Sequence, residues 1–388
     1  MDAKGAASSD RNSRFKVIIP AIIKDIVEDQ ELPVRGGALN FTEPTRLHMS
    51  MDTSLDTPLG VKIDPLPLGL YRPPAVPDAD NKDHAKAFLT LQMPEQHIHH
   101  ETEVKIPDQI VDITDQTDLV AWFNDFFDKD FAQLRVKTDD LSAHLGALHY
   151  TVNLDKTVRV PGLRYLKGFG VQDMQFMIPP DSAGRNMKGH LVIPNAGVLT
   201  LGLGNVTFNV VAGDITLGLV NIYNLDLKPG NNTPPFDGVF YFDQLIPNLA
   251  ALLDTQQGAL AEGMLEFNAT GNSTFHNGQR VAYIEGVLNH KRIPFRIPAT
   301  TLLLDVVGAL LGGAAGANGA QLPLLDTLGD VMGNKTLLEQ MLSHFDSAPG
   351  DNGGGNGGVK AKKSNTEKLG KSLKMNLFKL GLRSLAKM

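Results

Sequence analysis

Residues 199–232 read LTLGLGNVTFNVVAGDITLGLVNIYNLDLKPGNN, and this stretch decides the fold class. Apolar residues alternate with polar or small ones, which is the period of a β-strand with one buried face. Turn-forming residues separate the alternating runs at Gly213-Asp214 and at Lys228-Pro229-Gly230. The pattern predicts an antiparallel meander.

The same short alternating runs, broken by Gly, Pro, Asn and Asp, continue from Phe41 to Pro298. Strands at this spacing without regularly intervening helices favour a sandwich over a parallel sheet. We therefore predict a mainly β fold of antiparallel β-sandwiches.

The sequence also contains an internal repeat, because one order of predicted strands and helices occurs twice. Residues 111–113 form a predicted strand, Asp115 a helix cap, and the following helix carries apolar residues at helical spacing before a strand at 134–138. Residues 239–242 begin the same order, with Asp243 as the cap and a strand at 265–269. The repeat predicts two tandem domains, each with an inserted short helix.

Three single residues also support the repeat, because each has a counterpart of the same type at a nearly constant number of positions further along the chain. Tyr150 pairs with Tyr283, Lys156 with Lys291 and Pro161 with Pro294. The predicted organisation is then as follows: 1–29, a polar start and a short apolar helix; 30–180, a first sandwich with a proline-rich charged insertion near 72–84; 181–300, a second sandwich; 301–346, a leucine-rich helical region; 347–358, a flexible Gly/Asn linker; and 359–388, a basic amphipathic tail.

Charge is distributed unevenly along the 388 residues, whose formal net charge is -7. Residues 359–388 contain nine basic side chains and one acidic one, Glu367, so the rest of the chain is strongly acidic. An acidic body does not neutralise phosphates. We expect no nucleic-acid partner, and we expect the tail to meet an anionic surface.

The tail has the pattern of a cationic amphipathic helix, which can lie in an anionic membrane interface. The alternative is a helix docked on the acidic body. The residues predicted to contact a membrane are Leu369, Lys371, Leu373, Lys374, Leu377, Phe378, Lys379, Leu380 and Arg383.

Catalytic signatures are weak in this sequence. Without cysteine there is no disulfide, thiol nucleophile or cysteine-based metal site. The sequence has no G-x-S-x-G elbow, phosphate loop or H-E-x-x-H helix. Acidic pairs such as Asp139-Asp140, or Asp125 with Asp128, are typical of a solvated face. We predict a protein that is not an enzyme and needs no cofactor. A hydrolase of unknown type ranks third, after the two binding functions given at the end of this subsection.

Two further patterns were weighed as binding sites. His97 and His99 would share one face of a strand, next to His100, but a solvated edge strand explains them equally well, so no metal site is predicted. Gly202-Leu203-Gly204 resembles part of a dinucleotide fingerprint, but it lacks the third glycine and lies among strands.

Asparagine sequons are more frequent than the composition predicts, which indicates lumenal or extracellular exposure. Asparagine and threonine are also common in the turns and strands of β-proteins, and that explains part of the excess. The possible glycosylation sites are Asn40, Asn205, Asn231, Asn268, Asn272 and Asn334.

Several of these stretches resemble a large fungal family of uncharacterised proteins related to the late-embryogenesis-abundant type 2 (WHy) domains. The resemblance rests on residues 193–195, 199–208 and 225–232, and on the start at residues 19–27 and 40–44. It implies tandem fibronectin- or immunoglobulin-like β-sandwiches on the lumenal side of the fungal vacuole membrane, with no catalytic residues. Members typically begin with a transmembrane helix just before the segment that corresponds to Pro20. Here residues 2–16, which are polar, precede that segment.

Together these observations favour a non-enzymatic, membrane-associated protein whose β-sandwich modules bind a protein partner or lipid. The alternative is a carrier of apolar ligands, held between sheets that splay apart. The alternative location is the cytoplasm, peripheral on a membrane, because the cytoplasmic leaflet is the anionic one.

Overall fold

A computed structural model of the chain describes residues 32–73, 86–177, 179–256, 258–259, 262–298 and 302. These residues are mainly β, as the alternation predicts. The strands of the first half are β1 (Val34–Asn40), β2 (Arg46–Ile63), β3 (Leu66–Tyr71), β4 (Leu89–Met93), β5 (Gln96–Asp112), β6 (Phe131–Leu145) and β7 (Leu148–Pro161). Those of the second half are β8 (Gly170–Phe176), β9 (Met187–Asn195), β10 (Thr200–Ala212), β11 (Ile215–Leu227), β12 (Gly230–Asn232), β13 (Pro235–Phe240), β14 (Met264–His276), β15 (Gln279–Arg280) and β16 (Ile293–Pro298).

Helices are few among the described residues. Helix α1 covers Gln116–Asp128 in the first half, and α2 (Phe242–Thr255) and α3 (Ala282–Leu288) belong to the second half. A short 3-10 turn at Arg164–Leu166 lies between the halves. None of the helices in the described part of the chain is both long and apolar enough to cross a membrane.

Hydrogen bonds link all sixteen described strands into one mixed sheet. Its main path runs β12-β9-β13-β11-β10-β1-β2-β6-β3-β4, and the remaining strands branch from it: β5 from β2, β7 from β6, β8 from β9, and β14 with β15 and β16 from β10. Neighbouring strands are antiparallel except for β1 and β10, which run parallel and join the two halves.

The meander of residues 199–232 is confirmed as the hairpin of β10 and β11, with Gly213 at φ +59° in its turn. The buried positions of β10 are odd up to Leu203 and even from Val206 onward. Gly204 causes this change, because it forms a bulge at φ +70° that inserts one residue into the ladder. The bulge keeps both runs of apolar side chains on the core face.

Helix α1 forms where the sequence predicts it. The Asp115 side chain caps it by accepting a hydrogen bond of 3.0 Å from the backbone N–H of Asp118. Its apolar face is an aromatic stripe that includes Trp122 and Phe126, whose ring centroids lie 5.4 Å apart. The stripe is buried in the hydrophobic core.

The two halves share this core and are joined by specific bonds. The ammonium of Lys291, in the second half, lies 2.7 and 2.8 Å from the two carboxylate oxygens of Asp128 at the end of α1. The hydroxyl of Tyr283 in α3 donates to the carbonyl of Glu43 over 3.1 Å. The buried side chains form one hydrophobic cluster that extends through both halves.

The predicted strand–helix–strand repeat is present as β5-α1-β6 and β13-α2-β14. One of the single-residue pairs does not match in structure, because Tyr150 lies on strand β7 whereas Tyr283 lies in helix α3. Strand β8 lies before the predicted boundary at 180, within the predicted first domain. It nevertheless pairs with β9, which belongs to the predicted second domain.

The predicted segments 1–29, 301–346 (apart from Leu302), 347–358 and 359–388 lie outside the described residues, as does most of the insertion near 72–84. The predicted membrane-contact residues of the tail, from Leu369 to Arg383, are therefore not described.

Candidate functional site

An apolar cavity of about 110 Å³ lies inside the first half, and we call it the first-half cavity. The described residues that line it are aliphatic apart from two threonines, and none of them is charged. The lining residues are Leu32, Val34, Met51, Thr53, Leu55, Thr57, Val61, Ile63, Leu68, Met93, Ile98, Val104, Ile106, Val136, Leu141, Ala143, Leu154 and Val158. A single water needs about 10–15 Å³ by this kind of measure, so the cavity has room for a group of several carbon atoms.

The strands that line the cavity fall into two hydrogen-bonded groups, β1 with β2 and β5, and β3 with β4, β6 and β7. Strands β2 and β6 are hydrogen-bonded neighbours only at Lys62 with His144 and at Ile63 with Ala143. The group of β1, β2 and β5 and the group of β3, β4, β6 and β7 meet at this corner, and both contribute residues to the wall.

The pairing of the lining strands is irregular at two places. The register of β2 against β5 shifts between Thr57 and Val61, where Pro58 has no N–H to donate to the ladder. The register of β6 against β7 shifts between Thr138 and Leu141. Such bulges bend a strand away from its straight course.

One polar atom in the wall has no partner. The Thr53 hydroxyl oxygen is buried and makes no hydrogen bond with any part of the chain that the structure describes. A buried hydroxyl without a partner costs about 1–3 kcal/mol. A ligand carrying a hydrogen-bonding group would remove that cost.

A second, smaller cavity of about 30 Å³ lies in the second half. Its wall combines aliphatic side chains with six phenylalanines: Phe169, Phe208, Phe236, Phe240, Phe267 and Phe295. Strands β8 and β16, at opposite ends of the second half's sheet path, lie against each other here, and the rings of Phe169 and Phe295 are 5.8 Å apart. The bulky rings occupy most of the space that the first half leaves open.

Behind the first-half cavity, the outer face of the corner carries a charged network. Lys62 contacts Glu95 at 2.8 Å, and Glu95 also contacts His97 at 3.0 Å. The hydrogen bond to Glu95 is the main cause of a raised pKa at Lys62. The hydrogen bond from His144, at 2.7 Å, is the main cause of a lowered pKa at Asp64.

Three members of the acidic pairs weighed as catalytic groups, Asp125, Asp128 and Asp139, are engaged in ion pairs. Asp128 binds Lys291, and Asp125 lies 2.8 Å from the ammonium of Lys129, one helical turn away. Asp139 lies 3.3 Å from Lys137. These contacts agree with the interpretation of the pairs as structural and surface charges.

The histidine cluster lies on β5, where the rings of His99 and His100 meet at 4.2 Å between centroids. A group of three potential metal ligands that does come together among the described residues consists of Asp64, His144 and His149. Sequence reasoning missed this group, because Asp64 and His144 are eighty positions apart and only the corner of β2 and β6 joins them.

The sequon asparagines lie on strands of the described chain, apart from Asn334, which is outside it. Asn231 and Asn272 are exposed, and Asn40, Asn205 and Asn268 are half-buried. Two of them take part in hydrogen bonds of the sheet: Asn205 accepts one from the N–H of Asn224, and Asn272 donates one to Asn209.

The motifs that carry the family resemblance have structural tasks in the second half. The buried Asn195 amide donates to the carbonyls of Leu199 and Leu227 and so closes the β9–β10 connection. Asn232 both accepts from the N–H of Lys228 and donates to its carbonyl, which closes the turn before β12.

Comparison with known families finds a match over residues 86–210, from β4 to most of β10, to a family described as "Protein of unknown function (DUF3712)". No curated protein matches the chain. The matched stretch includes the helix α1, both strands of the β6–β7 hairpin and the junction between the halves.

Proposed function

We propose that this chain is a non-enzymatic lipid-binding protein that holds an apolar chain in the first-half cavity. The observation that carries the proposal is a cavity of about 110 Å³ with an almost wholly aliphatic wall and one unpartnered hydroxyl. Well-packed interiors have few voids larger than a water molecule, so an unfilled space of this size lowers stability until an apolar group occupies it.

The chemistry of the wall selects the ligand class. Apolar cavities of comparable size stay dry and bind small apolar groups. A space of about 110 Å³ fits part of an acyl chain and excludes a headgroup. The Thr53 hydroxyl oxygen is out of reach of a water molecule, so it meets a hydroxyl, ester or carboxyl oxygen of the ligand after a change of rotamer. A fatty acid or a related single-chain lipid combines both features.

The proposal includes a β-sandwich architecture for the first half. Within the first half, β1, β2 and β5 form one layer of a β-sandwich and β3, β4, β6 and β7 form the other, joined at the β2–β6 corner. The lining of the cavity by strands of both groups supports this division. The shared order of strand, helix and strand supports a second, related module in the second half.

A fatty-acid titration tests the proposal. The chain is titrated with the fluorescent fatty acid cis-parinaric acid, and oleate is then used to displace it. The variant Ala143→Leu fills the cavity from β6, and the matched control Thr151→Leu adds the same side chain on the exposed face of the neighbouring strand. We expect saturable binding that Ala143→Leu weakens by about tenfold or more and Thr151→Leu leaves unchanged. Equal binding by both variants would place the fatty acid elsewhere and overturn the proposal.

The polar end of the ligand is tested separately with Thr53→Val, which removes the hydroxyl and keeps the shape. This variant should be more stable than the parent without ligand by about 1 kcal/mol, because it removes an unpartnered buried oxygen. Its affinity for oleate should fall while its affinity for an alkane of the same length is kept. An unchanged affinity for oleate would mean that the hydroxyl does not contact the ligand.

Membrane association through residues 359–388 is the second part of the proposed function, and the charge pattern of the tail supports it. Co-sedimentation with vesicles of phosphatidylcholine containing phosphatidylserine compares the whole chain with a chain ending at 358. The shorter chain should lose binding, and the loss should be greatest at low salt. Unchanged sedimentation would refute a role for the tail.

The lumenal or cytoplasmic position of the protein depends on whether the sequons are used. Exposed Asn231 and Asn272 are the sites that an oligosaccharide would reach most easily. A mobility shift on endoglycosidase treatment of the protein from its natural host would support the lumenal side. No shift would support the cytoplasmic alternative.

A further inference from the structure

Four neighbouring strands align a row of basic side chains on the outer face of the β2–β6 corner. In the ladder, His97 is opposite Lys62, Lys62 is opposite His144, and His144 is opposite His149. Residues directly opposite each other on adjacent strands point to the same face. Asp64, in the turn after β2, reaches back to this row.

Three members of this group offer ligand atoms that converge. The Asp64 carboxylate lies 2.7 Å from the His144 imidazole, and one ligand atom from each of Asp64, His144 and His149 lies within 4.8 Å of the others. The His144 and His149 rings have centroids 4.7 Å apart. Asp64 and His144 are each about one-third exposed and His149 is exposed, so an ion can reach the group from solvent.

We propose that Asp64, His144 and His149 bind one divalent transition-metal ion, with Zn²⁺ as the expected ion. Imidazole nitrogen combined with carboxylate oxygen suits Zn²⁺, and a set of three protein ligands leaves the fourth position for water. Ligands at about 2 Å from a tetrahedral ion lie about 3.3 Å from one another. The exposed His149 can close the remaining distance by a change of rotamer.

The charge around the site permits the ion to enter. Lys62 lies 3.7 Å from Asp64, but its shorter contact, at 2.8 Å, is with Glu95. The ammonium of Lys62 can therefore remain paired with Glu95 when the metal ion binds the Asp64 carboxylate. The nearby carboxylate also offsets part of the repulsion between the ammonium and the ion.

The position of the site gives it a structural effect. Asp64 belongs to the turn between β2 and β3, and the two histidines belong to the β6–β7 hairpin, so the ion fastens the two groups of strands where they meet. A ligand that binds only the folded state stabilises it according to its concentration and affinity. The metal should therefore raise the thermal stability of the first half.

Zinc binding by the untagged chain tests this inference. Isothermal titration with ZnCl₂, together with the visible spectrum of the Co²⁺ form, should show one site per chain and nitrogen–oxygen coordination. His149→Ala should weaken Zn²⁺ binding by more than about tenfold and abolish the thermal shift produced by Zn²⁺. Asp64→Asn should also weaken binding, because it removes the anionic ligand.

The matched control is His99→Ala, which removes an exposed imidazole of β5 outside the group. It should keep full affinity. Zn²⁺ binding that is lost in His99→Ala and kept in His149→Ala would place the ion at the histidine cluster of β5 and overturn the proposal. Absence of binding up to millimolar Zn²⁺ by a folded chain would overturn it as well.

Discussion

At the scale of single residues, Gly204 shows how one position decides which face of a strand is buried. The apolar run changes from odd to even positions at Gly204, and a strand without a bulge would turn one of the two runs to solvent. The alternation alone predicted the strands, but it did not predict that they are one continuous strand, because the bulge depends on a positive φ that only the structure reveals.

Gly204→Ala should destabilise the fold more than Gly213→Ala does. Both glycines have positive φ, +70° and +59°, and share a backbone cost of about 1–2 kcal/mol for an alanine. A Cβ at Gly204 would also lie 2.7 Å from the Phe275 carbonyl oxygen, whereas a Cβ at Gly213 meets nothing within 4 Å. Urea unfolding should therefore rank Gly213→Ala as the milder change. Equal losses would mean that β14 moves freely away from the bulge.

Glu285 is buried, and its carboxylate is held by hydrogen bonds. It accepts two bonds from Arg280 through Nε, at 2.9 Å each, one from Arg280 Nη2 at 2.7 Å, and one from the N–H of Thr274 at 3.0 Å. Burial acts to raise the pKa of Glu285, but the bonds from Arg280 and Thr274 outweigh it, so its pKa is below the ordinary value.

Glu285→Gln should therefore lower the free energy of unfolding by about 1–3 kcal/mol at pH 7. Because the folded pKa is the lower one, the contribution is complete above the unfolded pKa of about 4.3 and is lost as pH falls through the folded pKa. Urea titrations from pH 7 to pH 3 should show the parent approaching the variant only at the acid end. A difference that is independent of pH would contradict the ionised state.

At the scale of elements, the strand–helix–strand order was predictable because amphipathic periods of 2 and 3.6 residues are distinct in this sequence. Helix α3 was not predicted. The helix has only seven residues, and most of them are buried. It therefore lacks the polar face that would reveal a helical period in the sequence. Tyr150 and Tyr283 are not equivalent, since Tyr150 lies on β7 and Tyr283 in α3, while β16 is the strand that pairs with β14 as β7 pairs with β6.

The contact between α1 and the turn before β16 should depend on one ion pair. The Lys291 side chain is 7% exposed and Asp128 is 42% exposed, so Asp128→Asn leaves a nearly buried ammonium without its carboxylate. We expect a loss of about 1–3 kcal/mol in the free energy of unfolding.

The matched control for that contact is Asp125→Asn, three positions earlier on α1. Its carboxylate pairs with Lys129 on the surface, and such a pair contributes about 0.5 kcal/mol or less. Comparable losses in the two variants would show that the link between the halves is no stronger than a surface pair.

At the scale of the whole molecule, the sequence predicts two tandem domains, whereas the described residues of both halves share one continuous hydrophobic core. The repeat in sequence describes local elements, whereas the parallel pairing of β1 with β10 joins residues more than 150 positions apart and has no local signal. The cavity also had no local signal, because its lining comes from seven strands and looks in sequence like any buried face.

Thermal unfolding should accordingly be a single transition for residues 32–302. Shared burial across the halves makes separation expose apolar surface on both sides. Differential scanning calorimetry should give equal calorimetric and van't Hoff enthalpies. Two resolved transitions would identify independently stable halves.

The central claim is that the first-half cavity holds an apolar chain, and native mass spectrometry of the purified chain tests it most directly. The account predicts a bound single-chain lipid at one copy per protein, recovered by solvent extraction, and its loss in Ala143→Leu but not in Thr151→Leu. A folded chain that carries no lipid after purification, and takes up none when oleate is added, would contradict the account.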